Sequence, residues 1–150
     1  MKKIALAVLI FFSMLSVQAQ NFEYKTVTVV ESIIPSGVGR SRMISTDENR
    51  DFKEFTSTRT EEENERNKSE RAEIRVKNFE ETKLLNFFNM GGIRFQNIAA
   101  NDAVVTSKIN SLAAEGWELV FVNSGVESYA SEEDPNGIFI TRYIFKRVLN

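Results

Sequence analysis

Apolar and polar residues alternate with a period of two near both ends of the chain, and this alternation predicts β-strands. The first strand is predicted over residues 22–31 and the last over 138–147, because both runs are rich in β-branched and aromatic side chains. A short strand at 40–45 is predicted to return beside the first, after a turn that contains Pro35. Turn residues at 131–137 predict that the last strand forms a hairpin with the strand before it.

A helical period replaces the alternation in the middle of the chain. The apolar positions that share one helical face are Val105, Ile109, Leu112 and Ala113. Asn101 precedes this run and is predicted to cap the start of the helix with its side-chain oxygen. Gly116 follows the run and is predicted to close the helix in a left-handed conformation. The pattern therefore predicts one main helix between these two residues.

The alternation resumes directly after Gly116, at the single tryptophan of the chain. The predicted strand places Trp117, Leu119 and Phe121 on one face and Glu118, Val120 and Val122 on the other. Trp117 is predicted to pack across the apolar face of the helix. Asn101, Gly116 and Trp117 thus form the structural pivot of a predicted α+β fold, in which a small antiparallel sheet packs on one main helix.

Residues 60–71 contain no apolar side chain, which assigns them to a polar charged insertion at about 47–71. Two structures remain open for this insertion: a solvated helix that begins with a capping box, or a mobile tip between two extended arms. The mobile tip is favoured because an all-polar helix has nothing to pack on. Alternating apolar residues at 72–76 predict a strand arm, and the apolar run at 84–90 is predicted to be core, as either strand or helix.

The first residues have the pattern of a signal peptide. Two lysines are followed by an apolar run from Ile4 to Leu15 and by a small-residue cleavage site that ends at Ala19. The apolar run is shorter than the roughly 20 residues that span a bilayer, so a membrane anchor is the less favoured alternative. We therefore expect a signal peptide at 1–19 and a single exported domain at 20–150, located in the periplasm or secreted.

The sequence contains neither cysteine nor histidine. This composition excludes a disulfide framework, a thiol nucleophile, a Ser-His-Asp triad and the usual zinc sites. The net charge of −2 becomes more negative once a leader with two lysines and no acidic residue is removed, which argues against a nucleic-acid partner. We expect no cofactor, no bound metal and no membrane contact after signal cleavage.

Three arginines, Arg40, Arg42 and Arg142, are the candidate binding residues. Arg40 and Arg42 follow a glycine-rich turn and share one face if the segment is an extended strand. If the last strand lies beside them, the three guanidinium groups would converge on a carboxylate, phosphate or sulfate. The favoured alternative is that each arginine forms an ordinary ion pair, with partners among Glu23, Glu31 and Glu118.

Asp102, Glu115 and Glu118 are the candidates for a carboxylate-based hydrolase, which needs two carboxyl groups on either side of a scissile bond. Asp102 lies near the predicted helix start and Glu115 at its end, about 20 Å apart at 1.5 Å per residue. Only Glu115 and Glu118 are near neighbours, and both occupy positions where exposed charge is ordinary. We therefore predict no catalytic residues.

Three segments resemble a family of small bacterial domains, domain of unknown function 4177. They are the strand at 22–27 with Glu-Tyr-Lys, the helix end at 112–120 with Glu-Gly-Trp-Glu-Leu, and the strand at 143–147 with Tyr-Ile-Phe-Lys-Arg. The resemblance covers the two ends of the mature chain and not residues 33–98, so the chain would be a longer exported variant with a large insertion. It implies a β-α-β-β core with an extra strand or arm, and it implies no activity.

Together these patterns predict an exported, non-catalytic module that binds a protein partner or a small anionic ligand. The alternative is a structural envelope protein without a discrete ligand. A carboxylate-based hydrolase is the least favoured function.

Overall fold

The structure, a computed structural model, describes residues 20–32, 41–62, 64–89, 91–127 and 137–149. Within these residues the fold is α+β. The strands are β1 (Phe22–Ser32), β2 (Arg42–Ser45), β3 (Glu80–Lys83), β4 (Phe88–Asn89), β5 (Gly92–Ile93), β6 (Glu118–Glu127) and β7 (Ile138–Val148). The helices are α1 (Arg71–Ile74) and the main helix α2 (Phe95–Ala114), with a 3₁₀ turn at Phe52–Phe55.

Five strands form one antiparallel sheet in the order β3-β2-β1-β7-β6, and β4 and β5 form a separate two-stranded ladder. β1 lies at the centre, where Val27 pairs with Ser45 of β2 and with Tyr143 of β7. The predicted first strand, the short returning strand and the pairing of the last strand with the one before it are all confirmed. The α+β fold class, an antiparallel sheet packed on one main helix, is confirmed as well.

The core lies between α2 and one face of the sheet. Its buried apolar residues are Val27, Val29, Met43, Leu84, Leu112, Trp117 and Phe145, and Val104, Val105, Ile109 and Tyr143 pack against them. They come from β1, β2, β7 and α2, except for Leu84, which follows β3, and Trp117, which precedes β6; no residue of β6 is among them. The opposite side of the sheet, which faces away from α2, is called the bare face below.

The prediction that Asn101 caps the start of the main helix is wrong. α2 begins at Phe95, six residues earlier, and Asn101 is an internal helical residue with 3% of its surface exposed. Its side chain accepts a hydrogen bond from the Leu85 N–H and donates to the Leu85 carbonyl, both at 2.8 Å. It also donates to Glu31 at 3.0 Å. The amide is buried because it satisfies backbone groups that lie outside any ladder.

The apolar stripe of α2 also differs at one position from the prediction. Leu112 is buried and Val105 and Ile109 are half-buried, but Ala113 is exposed. Val104 takes its place against the core. A helix that is buried on one side follows a period of 3.6 residues, so residues 101, 104, 105 and 112 share the buried side and 113 is rotated away from it.

The predicted helix end is confirmed. Gly116 has φ of 86°, and its N–H donates to the Ala113 carbonyl at 3.0 Å. The Trp117 N–H donates to the Leu112 carbonyl at 2.9 Å. These two bonds define a Schellman motif, and the buried Trp117 and Leu112 supply the hydrophobic contact that accompanies it.

The predicted faces of the strand after Trp117 are corrected by a β-bulge. The register with β7 shifts between Leu119 and Phe121, so Leu119 pairs with Phe145 and Phe121 with Ile144. The extra residue in β6, Val120, reverses the alternation. Phe121 therefore lies on the bare face, opposite in direction to Leu119, and 66% of its surface is exposed.

The insertion at 47–71 has little regular structure in its described part. Residues 56–62 and 64–70 form neither helix nor strand. The strand arm predicted at 72–76 is wrong: Arg71–Ile74 is a single helical turn, begun by reciprocal bonds between Glu70 and Glu73. In the apolar run at 84–90, Leu84 is buried without regular structure, and only the two-residue strand β4 follows.

The predicted signal peptide at 1–19, the turn around Pro35, Arg40 and the turn residues 131–136 lie outside the described residues. In the part of the chain that the structure describes, no helix has the length and apolarity that crossing a membrane requires.

Candidate functional site

A cleft with charged walls lies where the C-terminal end of α2 meets the ends of β1 and β2. It has a volume of about 570 Å³ and is lined by Lys25, Asp47, Glu80, Lys108 and Glu115, among others. Two ion pairs line it: Lys25 with Asp47 at 2.6 Å and Lys108 with Glu80 at 2.7 Å. The pair of Arg147 with Glu23, at 2.6 Å, lines a neighbouring cavity. Within each pair the two charges neutralise each other.

Trp117 lines the same neighbouring cavity and is 6% exposed. The Arg147 guanidinium lies 4.4 Å from the ring centroid, and Lys25 Nζ lies 5.1 Å from it. Arg147 also donates to the Glu115 carbonyl at 3.2 Å, at the end of α2. Cations over a tryptophan face are attracted to the ring, so both side chains cover Trp117.

Sequence reasoning missed this role of Lys25 and Arg147. Lys25 has the same parity as Val27 and Val29 along β1, and Arg147 has the same parity as Phe145 along β7. The sequence signal that could have predicted this role is a cation at a core-side position of an alternating strand. It marks a position where the long aliphatic stem is buried and the charge reaches the edge of the core.

Two carboxylates of the cleft have pKa values below their ordinary range. A hydrogen bond from Lys25 lowers the pKa of Asp47, and the charge of the same lysine lowers it further. A hydrogen bond from Lys108 lowers the pKa of Glu80, and a second one from Ser45 adds to it. Both carboxylates are therefore ionised at neutral pH and serve as ion-pair partners, not as proton donors.

On the other side of the core, burial raises the pKa of the Tyr143 phenol, and the charges of Glu31 and Asp102 raise it further. Tyr143 is therefore a neutral donor at physiological pH. No group of three or more Asp or Glu side chains is placed to hold a metal ion, as far as the described residues extend.

The candidate arginines Arg42 and Arg142 lie on the bare face. Arg42 pairs with Glu81 at 2.6 Å and also donates to the Ser41 carbonyl at 2.7 Å. The register places Arg42 opposite Val30 and Arg142 opposite Thr28. The two arginines are thus separated by β1, about 10 Å across the sheet, with a further offset of two residues. Arg142 is exposed, and it has no hydrogen-bond or ion-pair partner among the described residues.

The candidate carboxylates do not face one another. Glu115 caps the end of α2 and lines the charged cleft. Glu118 lies opposite Lys146 on the bare face and pairs with it at 3.2 Å. Asp102 is on α2, near Tyr143. The two acids closest in sequence therefore lie on opposite sides of the sheet.

Arg142 lies opposite Thr28 of β1 and Asn123 of β6, and apolar side chains flank it along its own strand. On its own strand Ile140 and Ile144 point to the same face, and Val30 and Ile44 occupy that face on β1 and β2. Phe121 adds an exposed ring beside Ile144 at the edge. We call this group, with Arg142 at its centre, the arginine-centred patch.

The patch follows from the alternation of β7. The bare-face positions of that strand are Ile138, Ile140, Arg142, Ile144, Lys146 and Val148. A sheet that packs a helix on one face commonly carries polar residues on the other face, facing solvent. Large apolar residues predominate here instead, which is typical of a surface that binds another molecule.

The chain matches no protein-family model, no curated protein and no solved structure.

Proposed function

We propose that this protein is an exported, non-catalytic binding module, and that the arginine-centred patch binds an apolar segment of another exported protein that carries a carboxylate. The observation that carries the proposal is Arg142: an exposed arginine, unpaired within the described residues, that lies between Ile140 and Ile144 on a sheet face rich in large apolar side chains. A guanidinium in such a place binds carboxylates in a bidentate manner.

The charge of the bare face supports an acidic partner. Its described charged side chains are Arg42, Lys83, Arg142, Lys146, Glu81 and Glu118, an excess of positive charge. The whole chain has a net charge of −2, so this face has the opposite sign to the protein. Complementary charge guides association and selects against basic partners, while the apolar side chains supply the contact area.

We also propose that the protein is exported and that it belongs to the domain family 4177. Of the patch residues only Ile144 lies in a segment that carries the resemblance, and the resemblance implies no activity. The hydrolase alternative has less support because Glu115 and Glu118 lie on opposite sides of the sheet. The structural-protein alternative predicts no discrete ligand and is separated from binding by the experiment below.

The experiment titrates isotope-labelled protein with two ten-residue peptides, one that alternates valine with glutamate and one that alternates valine with lysine. We expect amide shifts on β1 and β7 with the acidic peptide only. Arg142→Gln should abolish these shifts, since it removes the charge and keeps much of the stem. Arg59→Gln, an exposed arginine in the insertion, is the matched control and should behave as the wild type.

Charge-reversed variants at the same two positions identify the natural partner. A capture experiment on exported proteins should yield a protein that Arg142→Glu loses and Arg59→Glu retains. Equal binding of both peptides, or shifts that survive Arg142→Gln, would show that the arginine does not define the site. The absence of any shift and of any such protein would favour the structural alternative.

A further inference from the structure

The two outer strands of the sheet differ in length and in charge. β3 has four residues, of which Glu80, Glu81 and Lys83 are charged. β6 has ten residues, and its run from Leu119 to Val126 contains neither a charged residue nor proline. Proteins block edge strands with charge, proline or short length, because unpaired backbone groups otherwise pair with another chain. β3 is protected from such pairing by its short length and by its charged residues, whereas β6 has only a bulge near one end.

We propose that the edge of β6 pairs antiparallel with β6 of a second copy of this chain, so that two sheets join into one. Strand addition at an open edge supplies backbone hydrogen bonds, and alternate side chains supply selectivity. The inference does not depend on the proposed function, because the strand edge and the arginine-centred patch are different surfaces.

Symmetry and the length of the regular strand together select one register for this pair. A two-fold axis perpendicular to the sheet keeps each face on its own side, so residues that lie opposite each other must belong to the same face. The bulge between Leu119 and Phe121 leaves residues 121–127 as the regular part of β6. Pairing all of them requires Ser124 to lie on the axis, opposite Ser124 of the second copy.

The side chains fit this register. Val122 lies opposite Val126 of the second copy, and in the single chain these residues are 54% and 58% exposed. Asn123 lies opposite Gly125, where a Cβ would have no neighbouring atom within 4 Å. Glu118 lies outside the paired run and is already neutralised by Lys146. The pair therefore covers exposed valines, and no charged side chain of the described run meets a like charge.

The first experiment is sedimentation of the purified chain over roughly a hundredfold range of concentration. We expect the molar mass to rise to twice that of one chain. Val122→Lys should keep the protein monomeric over the whole range, since lysine blocks an edge. Phe95→Lys, the same change at an exposed site on α2, should dimerise as the wild type does. Arg142→Gln should dimerise too, because it changes only the bare face.

The second experiment tests the register with cysteines, which the native chain lacks. Disulfides form only when the Cα atoms are within about 7 Å. Ser124→Cys should cross-link to itself under mild oxidation, because directly opposite residues are about 5 Å apart. Val122→Cys and Val126→Cys should each stay uncross-linked alone and should cross-link to each other when mixed.

A wild-type chain that stays monomeric at the highest concentration would overturn the proposal, and would mean that a segment of the same chain or no strand at all occupies the edge. A dimer that Val122→Lys leaves intact would assign the interface to another surface. Self-linking of Val122→Cys with no linking of Ser124→Cys would refute the register.

Discussion

The Asn101 side chain makes with Leu85 the two hydrogen bonds that a neighbouring strand would make. Its oxygen accepts from the Leu85 N–H and its nitrogen donates to the Leu85 carbonyl. Leu84, the preceding residue, is fully in the core. An amide has one acceptor and two donor hydrogens on one flat group, so it can hold an extended segment against a helix where no ladder is present.

We expect Asn101→Asp to destabilise the fold by about 1–3 kcal/mol or more, because the carboxylate cannot donate to Leu85 and adds a negative charge beside Glu31. Chemical denaturation measures the loss. Asp102→Asn, the neighbouring exposed position, is the control and should change stability little. If Asn101→Asp matched the wild type, the amide would not be what holds the segment in place.

The residues of the helix end give a second prediction. Trp117→Ala should cost about 3–5 kcal/mol, which brings a marginal domain close to unfolding. Gly116→Val should cost at least roughly 1–2 kcal/mol, because φ of 86° is unfavourable for a residue with a Cβ. Glu118→Gln should change little, since its pair with Lys146 is largely exposed. A denaturation series ranks the three, and a stable Trp117→Ala would remove the tryptophan from the core.

At the scale of elements, the sequence pattern predicted the features that interactions between neighbouring residues determine. Gly116 marks the helix end, and alternation marks β1 and β7. The start of α2 carries no such mark: its cap, Arg94, makes no side-chain bond to the helix. The bulge at Val120 was equally invisible, because a strand with apolar residues at 119, 120, 121 and 122 shows no break in its pattern. These features depend on contacts with β7 and with residues 84–85.

The candidate site shows the same limit. Strand parity predicted a shared face for Arg40 and Arg42, of which Arg40 lies outside the described residues, but it did not predict the ion pair of Arg42. Its partner Glu81 lies 39 residues further along, across the insertion. Only the register of β2 with β3 brings the two together. The position of Arg142 between Ile140 and Ile144 was readable in the sequence of β7, once β7 was known to have a bare face.

The relative stability of the insertion and α2 can be tested by proteolysis. Residues 56–62 and 64–70 are largely exposed and have no helix or strand bonds, so a protease meets little resistance there. We expect trypsin to cut first between Thr56 and Arg71, well before it cuts after Lys108 in α2. Mass spectrometry of early fragments gives the order. First cuts within α2 would show that the helix, and not the insertion, is the less stable part.

At the scale of the whole molecule, ion pairs hold the end of the helix and the sheet together. Lys25 and Asp47 join β1 to the loop after β2, and Lys108 and Glu80 join α2 to β3. Hydrogen bonds from these lysines lower the pKa of both carboxylates. The pairs are solvent-exposed, so each contributes little alone, but both respond to pH in the same direction.

Stability should therefore fall in acid. A carboxylate with a lowered pKa in the folded state contributes stability above its unfolded pKa, 3.8 for Asp47 and 4.5 for Glu80, and loses it as the pH falls through the folded value. We expect the denaturation midpoint to be flat from neutral pH to about pH 5 and to drop below that.

The double variant Asp47→Asn, Glu80→Gln should be less stable than the wild type at neutral pH and should lose less stability on acidification, so that the stability curves of the two proteins approach each other in acid. The control is Asp51→Asn, which removes an exposed carboxylate that is in no ion pair among the described residues and can keep the hydrogen bond from the Lys53 N–H. Parallel curves for the double variant and the wild type would show that other carboxylates govern the acid transition.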